Sequence, residues 1–297
     1  MKPQSIERII DLFALLPLPV AHALGALLGW VAIIVPNRMR HVTRRNLELC
    51  YPQMSQGERR QLERQSLIET GKTLLEAPII WRRSRERFLA LVKESPGMEA
   101  VHQAQAEGRG IILLTPHIGA WELGGLFCSA HWPMTILYKP PKQAALEEPI
   151  RAARAHFDAK VVPTDASGVK ALLSGLKHGE AVGILPDQEP TEGQGVFAPF
   201  LGQQAFTMLL PMRLAARSNA NGLEPRAFFT MSERLPHGQG FRQHFMPAEQ
   251  AFYSKDMSAA AAALNRGVEA CIRIAPMQYQ WSYKRFRKRP EGEAEVY

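Results

Sequence analysis

The apolar positions of this chain fall into three regimes. From Leu12 to Asn37 there is no Asp, Glu, Lys or Arg. From Thr43 to about Arg87, apolar and charged residues mix at helical spacing, with breaks expected at Tyr51-Pro52 and Ala77-Pro78. Further on, short apolar runs alternate with helical patterns. A helix is expected over Met98–Glu107, a strand at Ile111–Leu114 and another at Thr135–Tyr138. Then come helix Ala144–Phe157, strand Lys160–Val162, helix Gly168–Lys177 and strand Ala181–Leu185. Pro186–Gly202 reads as loop from its Pro and Gly content. After it follow a helix near Thr207–Arg217, strands near Arg226–Met231 and Phe241–Met246, helix Ser258–Ile274 and a last strand near Gln278–Tyr283. This rhythm predicts an α/β fold whose mixed, largely parallel central sheet is flanked by helices.

The uncharged stretch is 26 residues long, enough as one helix to cross a hydrocarbon core of ~30 Å. Pro17 and Pro19 interrupt it, and Val20–Val35 alone would reach about 24 Å. A cleaved leader ending near Ala21-His-Ala23 fits poorly, since Glu7 and Asp11 spoil a basic start. A buried core helix also matches the composition. The expectation is an N-terminal apolar membrane anchor, residues 1–37, followed by one domain, 38–297. Arg38, Arg40, Arg44 and Arg45 behind the anchor put that domain on the cytoplasmic side.

Composition narrows the partners. The net charge of +8 points to an anionic one. The three Cys are far apart and outside any CxxC grouping, which excludes a disulfide framework and a structural zinc site. There is no GxSxG, P-loop, GxGxxG after a strand, or HExxH. No cofactor or metal is expected. Glu189 and Glu192 lack further ligands nearby.

Chemistry concentrates where the Ile111–Leu114 strand ends. Thr115-Pro-His-Ile-Gly-Ala-Trp-Glu122 places an imidazole and a carboxylate on a strand-to-helix corner, where α/β folds hold their sites. Two other His-x4-acid pairs exist, His102/Glu107 and His244/Glu249, and chance alone supplies about one. On a regular helix His117 and Glu122 would point about 140° apart. They meet only if His117 lies in the turn before the helix and Glu122 in its first turn. His117 would then act as general base, oriented by Glu122, whose charge a helix N-terminus favours. Arg151 and Arg154, neighbours on one helix face, could bind phosphate or bear oxyanion charge, or lie at the surface. Asp187, after the Ala181–Leu185 strand, fits a functional acid or an ordinary Asx turn. Near the C-terminus, Trp281-Ser-Tyr-Lys-Arg-Phe-Arg-Lys-Arg289 interleaves basic and aromatic residues, as a nucleic-acid or lipid-headgroup patch would. Beside an apolar N-terminus, the lipid version is the more economical.

Together these segments resemble the late acyltransferases of bacterial lipid A biosynthesis, of the lauroyl/myristoyl type. The resemblance rests on the apolar N-terminus, Thr115–Glu122, Leu185-Pro-Asp-Gln188, Gly195-Val-Phe-Ala-Pro-Phe200 and Gln280–Pro290. It implies an inner-membrane enzyme, at the cytoplasmic face, moving an acyl chain from acyl carrier protein to a 3-hydroxyacyl hydroxyl on a lipid A precursor. It also implies that His117 and Glu122 are the His-x4-acid pair, Arg154 (or Arg151) the essential arginine and Asp187 the aspartate after the fourth strand. No nucleic-acid partner is implied. Two alternatives are acylation of a glycerophospholipid or glycosylated phospholipid, and a membrane-tethered nucleic-acid-binding protein.

Overall fold

A computed structural model describes residues 3–141, 143–219 and 221–297. Its strands are β1 (Val92–Glu94), β2 (Ile111–Leu114), β3 (Met134–Tyr138), β4 (Lys160–Pro163), β5 (Ala181–Ile184), β6 (Gly195–Phe200), β7 (Gln203–Met208), β8 (Arg226–Arg234) and β9 (Phe241–Pro247). Seven form one sheet in the order β1-β9-β8-β2-β5-β3-β4, while β6 and β7 make a separate hairpin. Every pairing in the large sheet is parallel except β8 with β9. Central β2 explains its own composition: Ile112 and Leu114 enter the core on one side, Ile111 and Leu113 that on the other. A strand covered on both faces has no polar positions to alternate with.

The helices are α1 (Pro3–Ala14), α2 (Leu18–Ile34), α3 (Arg38–Cys50), α4 (Gln56–Arg82), α5 (Arg85–Leu89), α6 (Met98–Ala106), α7 (Trp121–His131), α8 (Glu147–Arg154), α9 (Ala166–Lys177), α10 (Leu210–Ala215) and α11 (Met257–Ile274). A Ser55/Glu58 capping box starts α4, and Asp256 caps α11. One core joins β2, β5 and β8 to α9 and α11. The other joins the same strands to α6, α7 and the ends of α2 and α4.

Several expectations need correction. The apolar N-terminus is two helices, separated at Leu15–Pro17, and no single described helix is long and apolar enough to cross a membrane. The chain leaves α2 into α3 through an 82° bend. Helix α4 does not break at Ala77-Pro78. Pro78 costs it one backbone hydrogen bond, but buried Ile79 and Ile80 hold the next turn in place. The stretch Pro186–Gly202 contains β6. Its Pro199 is tolerated because this two-stranded ribbon leaves one edge free. Leu201 and Gly202, both at positive φ, make the two-residue turn into β7. The helix expected from Thr207 therefore begins only at Leu210. No strand forms over Gln278–Tyr283; a 3-10 turn at Pro276–Gln278 leads to a single bridge, Tyr279 to Ile118. Short β1, at the sheet edge, carried no apolar run to reveal it.

The basic tail is not an exposed patch either. Trp281, Arg285 and Phe286 are buried, and Arg285 donates to the Phe206 carbonyl at 2.8 Å and to Thr207 Oγ1 at 3.1 Å. Glu189 accepts from Arg287 Nε at 3.1 Å and from the Lys288 backbone at 2.8 Å. That carboxylate pins the tail.

Candidate active site

Parallel pairing of β2 with β5, Leu114 opposite Ile184, brings two chain exits side by side. Thr115–His117 leaves one and Leu185–Asp187 the other, at the carboxyl edge of the sheet. After Pro116 the chain turns sharply: the Ile118 N–H donates back to the Pro116 carbonyl at 2.8 Å, with His117 at the apex. Three backbone bonds from distant segments fix this turn. Gly119 N–H donates to Gln278 O (3.0 Å), Ala120 N–H to Ser232 O (2.9 Å) and Gln280 N–H to His117 O (2.9 Å). Gly119 sits at φ +59 against the Ser232 carbonyl, where any Cβ would collide.

The carboxylate that meets His117 is Asp187. Its Oδ1 lies 2.8 Å from the imidazole Nδ1, and its Oδ2 accepts the His117 backbone N–H at 3.0 Å. Burial would raise this carboxyl, but the His117 ring and its two hydrogen bonds hold it below the ordinary range. With Nδ1–H donated to Asp187, Nε2 carries the lone pair. Gln188 Nε2 faces it at 3.2 Å and also donates to Gln280 Oε1 at 3.4 Å. Buried Tyr279 lies beside Asp187; burial and that negative charge push its phenol well above 10.

Glu122, in the first turn of α7, instead pairs with Arg154 from α8. Arg154 donates through Nη2 to Oε1 and through Nε to Oε2, the latter at 3.2 Å. Burial raises the Glu122 carboxyl and lowers the Arg154 guanidinium, yet their mutual attraction outweighs both, so the pair is ionised. Arg154 also lies over the Tyr138 ring, 5.5 Å from its centroid. Arg151 does not join them. It bonds Glu148 of its own helix at 2.8 Å and stays at the surface.

The Glu122–Arg154 pair lies on the wall of a pocket. The other walls are mainly apolar: Trp121, Leu126, Met134, Ile136, Gly183, Ile184 and Leu185. Trp121 connects the two halves of the site, its ring 5.4 Å from that of His117. Cys128 on α7 is fully buried, which pushes its thiol up and makes it a packing residue. Among the described residues no group of three His, Cys, Asp or Glu is arranged to hold a metal.

The structure gathers four of the five residues singled out from sequence, His117, Glu122, Arg154 and Asp187, at this edge of the sheet, but the imidazole meets Asp187 where sequence reasoning expected Glu122. That reasoning also passed over Gln188 and Gln280. Both stand in segments already singled out, Leu185–Gln188 and Gln280–Pro290, so their positions were visible though their contacts were not.

A family model described as bacterial lipid A biosynthesis acyltransferase matches residues 8–288. The lipid A biosynthesis lauroyltransferase of Escherichia coli K12 is 33% identical over 285 residues, covering 96% of this chain and 90% of that protein. The palmitoleoyltransferase of the same organism is 29% identical over 294 residues, covering 97% and 92%. A lipid A biosynthesis acyltransferase of Haemophilus influenzae is 25% identical over 279 residues, covering 93% and 87%. With its His-bearing turn, its apolar pocket and a match along nearly its whole length, this chain belongs to the bacterial lipid A biosynthesis acyltransferase family.

Proposed function

We propose that the protein moves an acyl chain from acyl carrier protein to the hydroxyl of a 3-hydroxyacyl chain on a lipid A precursor, at the cytoplasmic face of the inner membrane. The observation that carries this reading is an imidazole whose Nδ1 is held 2.8 Å from a buried carboxylate, beside an apolar pocket. His117 Nε2 takes the proton of the acceptor hydroxyl, whose oxygen attacks the thioester carbonyl. The tetrahedral intermediate then expels the donor thiolate, which takes the proton from the imidazolium. Ester and free carrier thiol result, with no covalent enzyme intermediate. Asp187 holds the tautomer and stabilises the imidazolium, as the acid of a Ser-His-Asp triad does. Arg154 offers N–H donors to the oxyanion, and Glu122 holds that arginine in place. The pocket takes the acyl chain.

In vitro transfer from a panel of acyl carrier protein thioesters, read by mass spectrometry, tests the reading. One added acyl chain on a purified lipid A precursor is the expected result. Acylation of glycerophospholipid alone would replace it with the alternative acceptor class. The pocket makes a second prediction in the same assay. A Cβ at Gly183 would run into the Met134 side-chain end, so Gly183→Val narrows the pocket. Its preference should move to shorter donors, with relative kcat/KM between donors two carbons apart changing roughly ten-fold or more. An unchanged chain-length profile would place the acyl chain elsewhere.

A further inference from the structure

Helices α1 and α2 show one face to the protein and a very different one to the outside. Eleven of the thirteen large apolar side chains exposed among the described residues lie between positions 9 and 35. A twelfth, Leu74, is on α4, the helix against which α2 packs. Monomeric soluble proteins rarely leave so continuous an apolar surface uncovered. We propose that α1 and α2 lie flat in one leaflet of an anionic bilayer and do not cross it. This rests on the reading that the acceptor is a membrane lipid.

The inward stripe of α2 argues against crossing. Leu18, Ala21, His22, Gly25, Gly29 and Ile33 recur at helical spacing and are all buried. At Gly25 a Cβ would come within 2.6 Å of Lys72 Cα, and Gly29 and Gly71 are equally crowded by backbone, so the two helices touch main chain to main chain. His22 Nε2 is 2.7 Å from Glu76 of α4, deep in the interior. Helix α4 also carries Glu69 and Lys72 in this stretch, and such a helix cannot accompany α2 through hydrocarbon. A spanning α2 would have to abandon that seam and expose His22 to lipid. It is also short, about 25 Å for 17 residues against a core of ~30 Å. An in-plane helix needs only the one-sided apolar face observed here, sunk roughly 5–10 Å.

Charge and position select a leaflet over a second copy of the chain. Arg8 on α1 and Arg38 just beyond α2 are exposed cations flanking this face, suited to anionic headgroups, with Glu7 the exposed acid beside Arg8. The Asp11 carboxylate, which would repel them, is tied to Arg82 at 2.9 Å. Trp30 stands among the exposed apolar side chains, a residue suited to the headgroup boundary. Helix α1 also touches the 3-10 turn Ala144–Leu146 that leads into α8. The face is therefore continuous with the element carrying Arg154.

Cysteines introduced singly at Ser5 and His41, both exposed and flanking the pair, test the topology. Native Cys50, Cys128 and Cys271 are buried and give little background. In sealed inner-membrane vesicles of the two orientations, a membrane-impermeant maleimide should label S5C and H41C in the same preparation, the one with its cytoplasmic face outward. Labelling of S5C in only the opposite preparation would show a crossing and overturn the proposal. The occupant is tested with the purified full chain on phosphatidylglycerol/phosphatidylethanolamine vesicles. Wild type should float with them, and L27E/V31E should lose at least ten-fold in bound fraction. Equal flotation of that variant, or a wild-type chain that stays with the soluble fraction as a dimer, would overturn it. Acyl transfer by L27E/V31E to detergent-dispersed acceptor should persist, which separates failure of the docking mode from failure of the acyltransferase reading.

Discussion

His117→Ala should lower turnover by roughly two to four orders of magnitude and also lower thermal stability, because the buried Asp187 carboxylate loses the ring that offsets its burial. The side chain is partly open, and its loss removes the base without creating a large void. Asp187→Asn should fall nearly as far, roughly 10⁴ in the comparable serine-protease case, because an amide no longer enforces the Nδ1–H tautomer. Steady-state kinetics with one donor and one acceptor would measure both. The same series separates the two acids near the base. Glu122→Gln leaves His117 its 2.8 Å contact with Asp187 but strips half-buried Arg154 of its counter-charge. With Arg154 no longer held for the oxyanion, kcat should fall by roughly 10²–10³, less than in Asp187→Asn, and stability should fall as well. If Glu122→Gln lost kcat as completely as Asp187→Asn, Glu122 would share in holding the base.

The largest stability effect is expected away from the chemistry, at Glu76. Arg234, at the end of β8, donates Nε to Glu76 at 2.8 Å, Nη1 to Glu69 at 2.6 Å and Nη2 to Thr73 at 2.9 Å, and His22 closes the cluster. Burial raises the Glu76 carboxyl, but Arg234 and His22 bring it below the ordinary range. Glu76→Gln leaves a buried guanidinium short of charge, at about 3–5 kcal/mol. That is a large share of a typical fold stability of ~5–15 kcal/mol, and a midpoint lower by roughly 5–10 °C should follow. The pH dependence has a defined sign. A carboxyl held below its unfolded value contributes fully at pH above that value and loses the contribution as pH falls through the folded one. Wild type and variant should therefore converge only at pH below the ordinary carboxylate range. Parallel melting curves at neutral pH would show that the cluster does not hold the fold.

The periodic parts of this molecule were legible because each obeys one local rule. Ile111–Leu114 is apolar at every position, so a doubly covered strand was the natural reading, and His117 at its exit followed. The pairing of His117 with Asp187 was not legible. It depends on β2 and β5 being parallel neighbours in register, a fact about sheet order that no spacing within Thr115–Glu122 contains. Counting five residues from His117 selected Glu122, the nearest acid along the chain. Across the sheet edge the nearer acid is seventy residues away. Gln188 and Gln280 depend on the same long-range packing. The tail misled for a related reason: Arg285 looks like a surface cation until the Phe206 carbonyl and Thr207 hydroxyl are in view to take its donors. Pro78 shows tertiary burial overriding a local breaker.

The turn bearing His117 is tied by backbone bonds to Ser232, Gln278 and Gln280. During synthesis the N-terminal helices, the pocket wall and His117 itself emerge long before those partners. At roughly 5–20 residues per second, about 10–30 s separate the appearance of His117 from that of Gln280. Throughout that interval the His117 turn of the nascent polypeptide lacks those three bonds. The full set of bonds around His117 is complete only once translation has passed Gln280.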